Sequence, residues 1–272
     1  MAGTRLEAWR LIDLGMAEPL LAQTFYEAVA SEVDGGRSPN SIILAQPSAP
    51  YVCIGFHQEL EEEVDLDYCE KNKLAVIRRS QGGGATYLDG NQVFYQVVAR
   101  RDGEVVPVGI PELFEKFLSV TVFVYRKLGL PAEYKAVNDV VVNGKKISGN
   151  GAGSFGKDVA ILVGNVILDL DYDSMSRVLK VPGEKFRDKM AKSMKEWVTS
   201  INRELGRVPS PEFVKALLAE GYEKILGIEL VRSGPSSREV ETWVSQVKPR
   251  HLSSEWLRMP ELRHGNLSEK RA

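Results

Sequence analysis

Asn143-Gly144, set between the β-prone runs Asp139-Val-Val-Val142 and Lys145-Lys-Ile-Ser148, constrains the fold more than any other feature of the chain. Both residues tolerate the positive φ that a type I′ turn demands, so the pattern predicts a two-residue hairpin over 139–148. A hairpin pairs its strands antiparallel, which bars a wholly parallel sheet. Strand alternation then puts Lys146 and Ser148 on one face, and Lys145 and Ile147 on the other.

Residues 19–33 read as a helix, with Pro19 suited to its first turn. Two short apolar runs, 41–45 and 51–55, read as buried strands separated by the breakers Pro47 and Pro50. Another strand over 74–79 runs into Gly82, Gly83 and Gly84. Asp89-Gly90-Asn91 supplies a turn before an extended run over 92–99. Leu113, Phe117, Val120, Val124 and Leu128 recur at helical spacing, and Gly129 sits where that helix should stop. A further strand is expected over 159–170. From Ser210 the chain is mostly helical: Ser210-Pro211 resembles a cap, and Ser236 with Glu239 forms a capping-box pattern. The mixture predicts an α+β fold with a mixed or antiparallel sheet packed with helices.

Charge excludes one class of partner. With 35 basic against 37 acidic residues there is no basic excess of the kind nucleic-acid binders show. No apolar run is long enough to span a membrane, and the first ten residues lack a secretory pattern. The two cysteines and three histidines have no metal-ligand spacing, so no structural zinc site is expected; a reduced cytoplasmic compartment fits best, with a Cys53–Cys69 bond left open by the sequence.

Two segments carry candidate chemistry. In Arg78-Arg-Ser-Gln-Gly-Gly-Gly-Ala-Thr-Tyr87 the glycines allow close backbone approach to a ligand, and the arginine pair could meet phosphate or carboxylate. It is neither a Walker A loop nor the dinucleotide fingerprint. From the residues alone, a flexible surface loop with solvated arginines stays open. The second segment is Asn138-Asp139 with Lys146, whose ammonium could neutralise charge on an α-phosphate under attack by a carboxylate; solvated lysines at a hairpin tip are the competing reading. Cys53 reads as a small core residue. Cys69 lies among carboxylates that would raise its pKa, and His57 alone is weak evidence for acid–base work.

In order along the chain, these segments resemble the lipoate–protein ligase family, which shares its fold with biotin ligases and octanoyltransferases. The glycine signature reads RRSQGGGATYLDGN over 78–91, one residue shorter between Asp89 and Asn91 than the family form. The lysine signature reads NDVVVNGKKISG over 138–149, and VCIGFHQ over 52–58 is a weaker match. The resemblance spans roughly residues 11–256. It implies one ligase-like catalytic domain over 1–258, helical from about 208, a loose tail over 259–272, and no accessory domain of the long-ligase kind.

By the same resemblance Lys146 is the catalytic lysine at the lipoate carboxyl and α-phosphate. Arg79, Gly82, Gly83, Gly84, Ala85, Thr86, Tyr87, Asn138, Asp139 and Lys146 would bind ATP and lipoyl-AMP, with Asp139 helping to place Mg2+. Lipoate would be activated with ATP and passed to a lysine of a lipoyl-domain carrier. That carrier would be a 2-oxoacid dehydrogenase E2, a glycine-cleavage H protein or a similar protein, with a separate accessory subunit assisting. One departure stands out: Val163-Gly164 replaces the His-Gly pair usual in the strand after the lysine motif.

The nearest rival is an ATP-independent octanoyl or lipoyl transferase using a cysteine nucleophile. Residues 133–137, just before the Asn-Asp motif, contain no cysteine, and none follows Cys69. A biotin ligase would carry an arginine-rich glycine loop instead. A lipoate- or lipoyl-AMP-binding protein that has lost catalysis is the non-enzymatic alternative.

Overall fold

A computed structural model describes residues 6–259. The expected tail therefore lies, beyond residue 259, outside the described residues. Among them are twelve strands: β1 (Glu7–Ala17), β2 (Ser41–Pro47), β3 (Tyr51–Ile54), β4 (Ala75–Arg78), β5 (Thr86–Leu88), β6 (Gln92–Arg100), β7 (Ala132–Lys135), β8 (Asp139–Val142), β9 (Lys145–Ser148), β10 (Asn150–Phe155), β11 (Val159–Ile167) and β12 (Ile228–Arg232). The main sheet runs β10-β11-β6-β2-β1-β12; β4-β3-β5 and β7-β8-β9 form two smaller ones. The main sheet is mixed. Its β10, β11, β6 and β2 pair antiparallel, whereas β2-β1 and β1-β12 pair parallel. This is the expected α+β class.

Helices cover both faces of the main sheet, which is why β2 is buried throughout and β6 at all but its last residue. Alternation divides the side chains between two cores. Ile43, Ala45, Phe94 and Val98 pack with helix Pro19–Asp34, while Ile42, Leu44, Tyr95 and Val97 pack with helices Ile110–Lys127 and Pro211–Leu226. The predicted stripe on the second helix is realised: Leu113, Phe117, Val120 and Val124 are buried, and Gly129 follows with φ +92°. Ser210 caps the third by accepting from Phe213 N at 3.2 Å.

Three strands of the main sheet escape a reading of periodicity, among them β10, a glycine-rich, half-buried NGAGSF run with no alternation to read. β1 has an irregular burial pattern and a register shift between Asp13 and Met16, and β12 is a five-residue insertion in a helical stretch. No helix among the described residues is long and apolar enough to cross a membrane.

The C-terminal stretch is bolted to β1 by a buried ion pair. Glu239 completes the capping box with Ser236, is fully buried, and pairs with Arg10. Burial pushes the Glu239 carboxyl up, but the bonds from Arg10 and Ser236 hold it below the ordinary value. Arg10→Ala would leave that carboxylate buried and uncompensated, so we expect a loss of about 3 kcal/mol. Denaturant titration checks this; a loss no larger than a surface pair gives would refute it. Because the carboxyl is lowered, its contribution holds above the unfolded glutamate pKa. It is lost as pH falls through the lowered value.

Candidate active site

The hairpin forms as its turn residues require. Asn143 and Gly144 adopt φ 51° and 77°, and Val142 pairs with Lys145. A bulge between Val140 and Val141 shifts the register. Ile147 enters the core, whereas Lys146 lines a cavity of about 370 Å³ and lies 2.6 Å from Asp139 Oδ1. Lys145 does not reach that cavity.

The glycine loop forms the opposite part of the lining. Arg79, Gly82, Gly83, Gly84, Ala85, Thr86 and Tyr87 all face the cavity, as do Asn138 and Lys146. Of the predicted residues, only Asp139 does not line it; its carboxylate meets the Lys146 ammonium instead. The Arg79 guanidinium gathers the loop around itself, donating to Gly82 O at 2.9 Å and 3.1 Å and to Gly84 O at 2.9 Å. Asn138 and Asn150 exchange side-chain-to-backbone bonds of 2.7 Å and 3.0 Å, which ties the hairpin sheet to the start of β10.

Arg78 corrects the reading of the arginine pair. It is fully buried, and its guanidinium is spent on the carbonyls of Gly55, Phe56, Gln58 and Leu257. Of the two, Arg79 alone lines the cavity. The reason is strand alternation at the end of β4, which sends neighbouring side chains to opposite faces.

The glycines also differ from one another. A Cβ on Gly82 or Gly84 would meet nothing within 4 Å, whereas Gly83 has φ +102° and requires glycine. Gly55, at the end of β3, packs directly on Gly83, and a Cβ there would overlap the Gly83 carbonyl.

The remaining wall is largely apolar, with Leu88, Phe94, Val163, Ile167, Leu170 and Val198. Val163 thus faces the cavity at the place where the family resemblance led us to expect histidine. Set among these side chains are Gln92 and Gln96, which alternate with Phe94 along β6, and Gln23 from the first helix. These glutamines were not singled out from the sequence. The available signal was two amides at i, i+4 in an otherwise apolar strand buried on both faces.

Both cysteines are buried and free of disulfide. Cys53 belongs to the core and also lines the cavity behind Arg79, whose Nη1 is 3.7 Å from its Sγ. Burial pushes its thiol up, against the opposing pull of Arg79. Cys69 packs in a separate core. Burial, with Asp65 adding to it, raises its thiol to about 11. His57 is exposed and does not reach the cavity.

A half-apolar cavity with one lysine, one arginine and a glycine loop suits an amphiphilic acid next to an anion. Residues 18–223 match the family model described as the lipoyl protein ligase A/B catalytic domain. The chain belongs to that family.

Among relatives of this lipoyl ligase A/B family member, lipoate-protein ligase A subunit 1 of Thermoplasma acidophilum is 32% identical over 214 residues, 75% of this chain and 79% of the other. Octanoyltransferase LipM of Moorella thermoacetica is 25% identical over 271 residues, covering 93% and 98%. In three dimensions the chain is similar to a bi-partite lipoate protein ligase from Thermoplasma acidophilum, whose structural study also includes its E2 lipoyl domain. That match has a TM-score of 0.80 and 28% identity, and covers 93% of this chain and 97% of the other. The lipoyl family member is therefore an enzyme of lipoate-type protein modification. The sequence relatives matched over nearly the whole chain are octanoyltransferases, which favours acyl transfer, whereas the structural match is to a ligase.

Proposed function

We propose that the chain is the catalytic subunit of a lipoate–protein ligase that forms lipoyl-AMP from lipoate and ATP and then acylates a lysine of a carrier. The observation that carries this reading is the cation set of the cavity: Lys146 and Arg79 line it together, beside an apolar wall. A fixed ammonium and guanidinium can stabilise the charge that builds on the α-phosphate during attack.

In the first step a lipoate carboxylate oxygen bonds to the α-phosphorus while the bond to the bridging oxygen breaks and pyrophosphate leaves. Lys146 is the side chain we place at the reacting oxygens, and Asp139 orients it through the 2.6 Å contact. Arg79 and the loop amides would hold the phosphates. In the second step the carrier amine attacks the acyl carbon, the carbon–oxygen bond to AMP breaks, and the amine gives up a proton. The apolar wall would receive the acyl chain and keep water from the anhydride.

Among the described residues no group of three His, Cys, Asp or Glu side chains could hold a metal by itself. Asp139, whose carboxylate meets Lys146 beside the cavity, is the residue that would help to hold Mg2+. The magnesium would then supply additional charge neutralisation.

The octanoyltransferase relatives and the place of Cys53 in the cavity wall give substance to a second reading, acyl transfer through a thioester. Against it, Cys53 has no exposed surface, burial pushes its thiol up, and no histidine among the described residues lines the cavity to accept its proton. For partners, the bi-partite ligase from Thermoplasma acidophilum supports a lipoyl domain of the E2 type as acceptor and a second subunit as assistant.

One experiment separates the two reactions. The protein is given lipoate and magnesium-ATP, or an octanoyl carrier without ATP, and lipoyl-AMP, pyrophosphate and acylated lipoyl domain are measured. Adenylate that persists in a Cys53→Ala, Cys69→Ala double variant is expected. Transfer without ATP that disappears in that variant would overturn the ligase reading.

A further inference from the structure

The backbone of the residue before Arg79 is held from outside the cavity. The Arg78 carbonyl oxygen is 3.0 Å from Trp256 Nε1 and 3.0 Å from His251 Nδ1. An indole nitrogen only donates and a backbone carbonyl only accepts, so His251 carries a hydrogen on Nδ1 toward the same oxygen. The Arg78 guanidinium donates in turn to Leu257 O at 2.9 Å and 2.6 Å. Both the main chain and the side chain of Arg78 are therefore gripped by segment 248–257.

The next residues of the loop are tied to the same cluster through the first helix. Glu27, 3% exposed, accepts from Ser80 Oγ at 2.7 Å, pairs with Arg250, and lies 3.0 Å from His251 Nε2. The Tyr26 hydroxyl donates to Gln81 Oε1 at 2.9 Å. Residues 78, 80 and 81 are thus anchored, while Arg79 between them turns to the cavity. None of Glu27, His251, Arg250 and Trp256 lines that cavity.

We propose that segment 248–257 is a positioning clamp for the nucleotide-binding loop, in which Trp256 and His251 fix the Arg78 carbonyl and so aim Arg79. This rests on the proposed role of Arg79 toward the nucleotide. Trp256 and His251 are positioning residues, since they act through Arg78 and touch no ligand. A loop ordered before binding lowers the cost of ordering it at binding, so loss of the clamp falls on nucleotide affinity.

Trp256→Phe removes the N–H and keeps an aromatic ring against Phe56 and His251, with which the indole now makes edge contacts at 5.7 Å and 5.1 Å. Losing one such bond should raise KM for ATP about fivefold and leave KM for lipoate in place. In the ligand-free protein, amide exchange over 80–84 should accelerate by about the same factor while β6 stays protected. His251→Gln, which withdraws the Nδ1 donor but reaches toward Glu27, should match Trp256→Phe. His251→Asn, which restores a donor near the Nδ1 position, should recover much of the loss.

Equal rises in both KM values, or unchanged exchange over 80–84 in both Trp256→Phe and His251→Gln, would overturn the clamp. Exchange is read without nucleotide, so it still decides the clamp if the wild type makes no adenylate. That latter result would count against the ligase reading alone.

Discussion

Lys146→Ala is expected to lower lipoyl-adenylate formation by about two to three orders of magnitude, the usual cost of removing one fixed charge-stabilising donor. Folding should be nearly untouched. The Lys146 and Asp139 side chains are 37% and 34% exposed, and a pair that exposed contributes little to stability. Pyrophosphate release and thermal melting, measured together, separate the two effects. Release near the wild-type rate would remove Lys146 from the reaction. Lys146→Arg should restore only part of the activity, because a planar fork cannot occupy the place of a compact ammonium. Asp139→Ala should cost less than Lys146→Ala, since it frees the lysine without removing it.

Gly55→Ala is the second large effect, and it acts on the loop from beneath. The new Cβ would overlap the Gly83 carbonyl, which is backbone and cannot swing aside. Gly83 already sits at φ +102°, so relief must come from moving the whole glycine loop. We expect about 2 kcal/mol of destabilisation, as overpacking typically gives, and at least a tenfold loss of adenylation from a displaced Arg79. Gly82→Ala and Gly84→Ala are the controls, because a Cβ at either meets nothing within 4 Å. Their melting temperatures should stay at the wild-type value, so any loss of activity there reports contact with ligand. A Gly55→Ala protein with unaltered stability and activity would mean that the loop is not seated on β3 in solution.

These variants mark how far the sequence could be read. The hairpin at Asn143-Gly144 was legible because turn chemistry acts over two residues, and alternation from that turn separated Lys146 from Lys145. The helix over Leu113 to Val124 was legible because its apolar spacing is local. The same logic stopped short at the arginine pair. Arg78 and Arg79 are identical in type and adjacent, and only the fold decides that Arg78 is fully buried among distant carbonyls while Arg79 lines the cavity. The glycine triplet likewise reads as three equal residues, yet Gly83 alone carries the positive φ and the close contact with Gly55.

The amino-acid sequence by itself determined the α+β class, the hairpin, the family resemblance and the place of a lysine and a glycine loop. All of these depend on short-range stereochemistry or on motif order. Tertiary structure alone decided that β1 and β12 pair parallel at one side of the main sheet, although their residues lie more than two hundred positions apart. It also decided that Gln23, Gln92, Gln96 and Cys53 share a wall with Lys146, and that residues from the C-terminal stretch hold the backbone beside Arg79. Such contacts join side chains distant in sequence, and burial gives them their strength. No local pattern of residues encodes which distant partner will fill a given desolvated site.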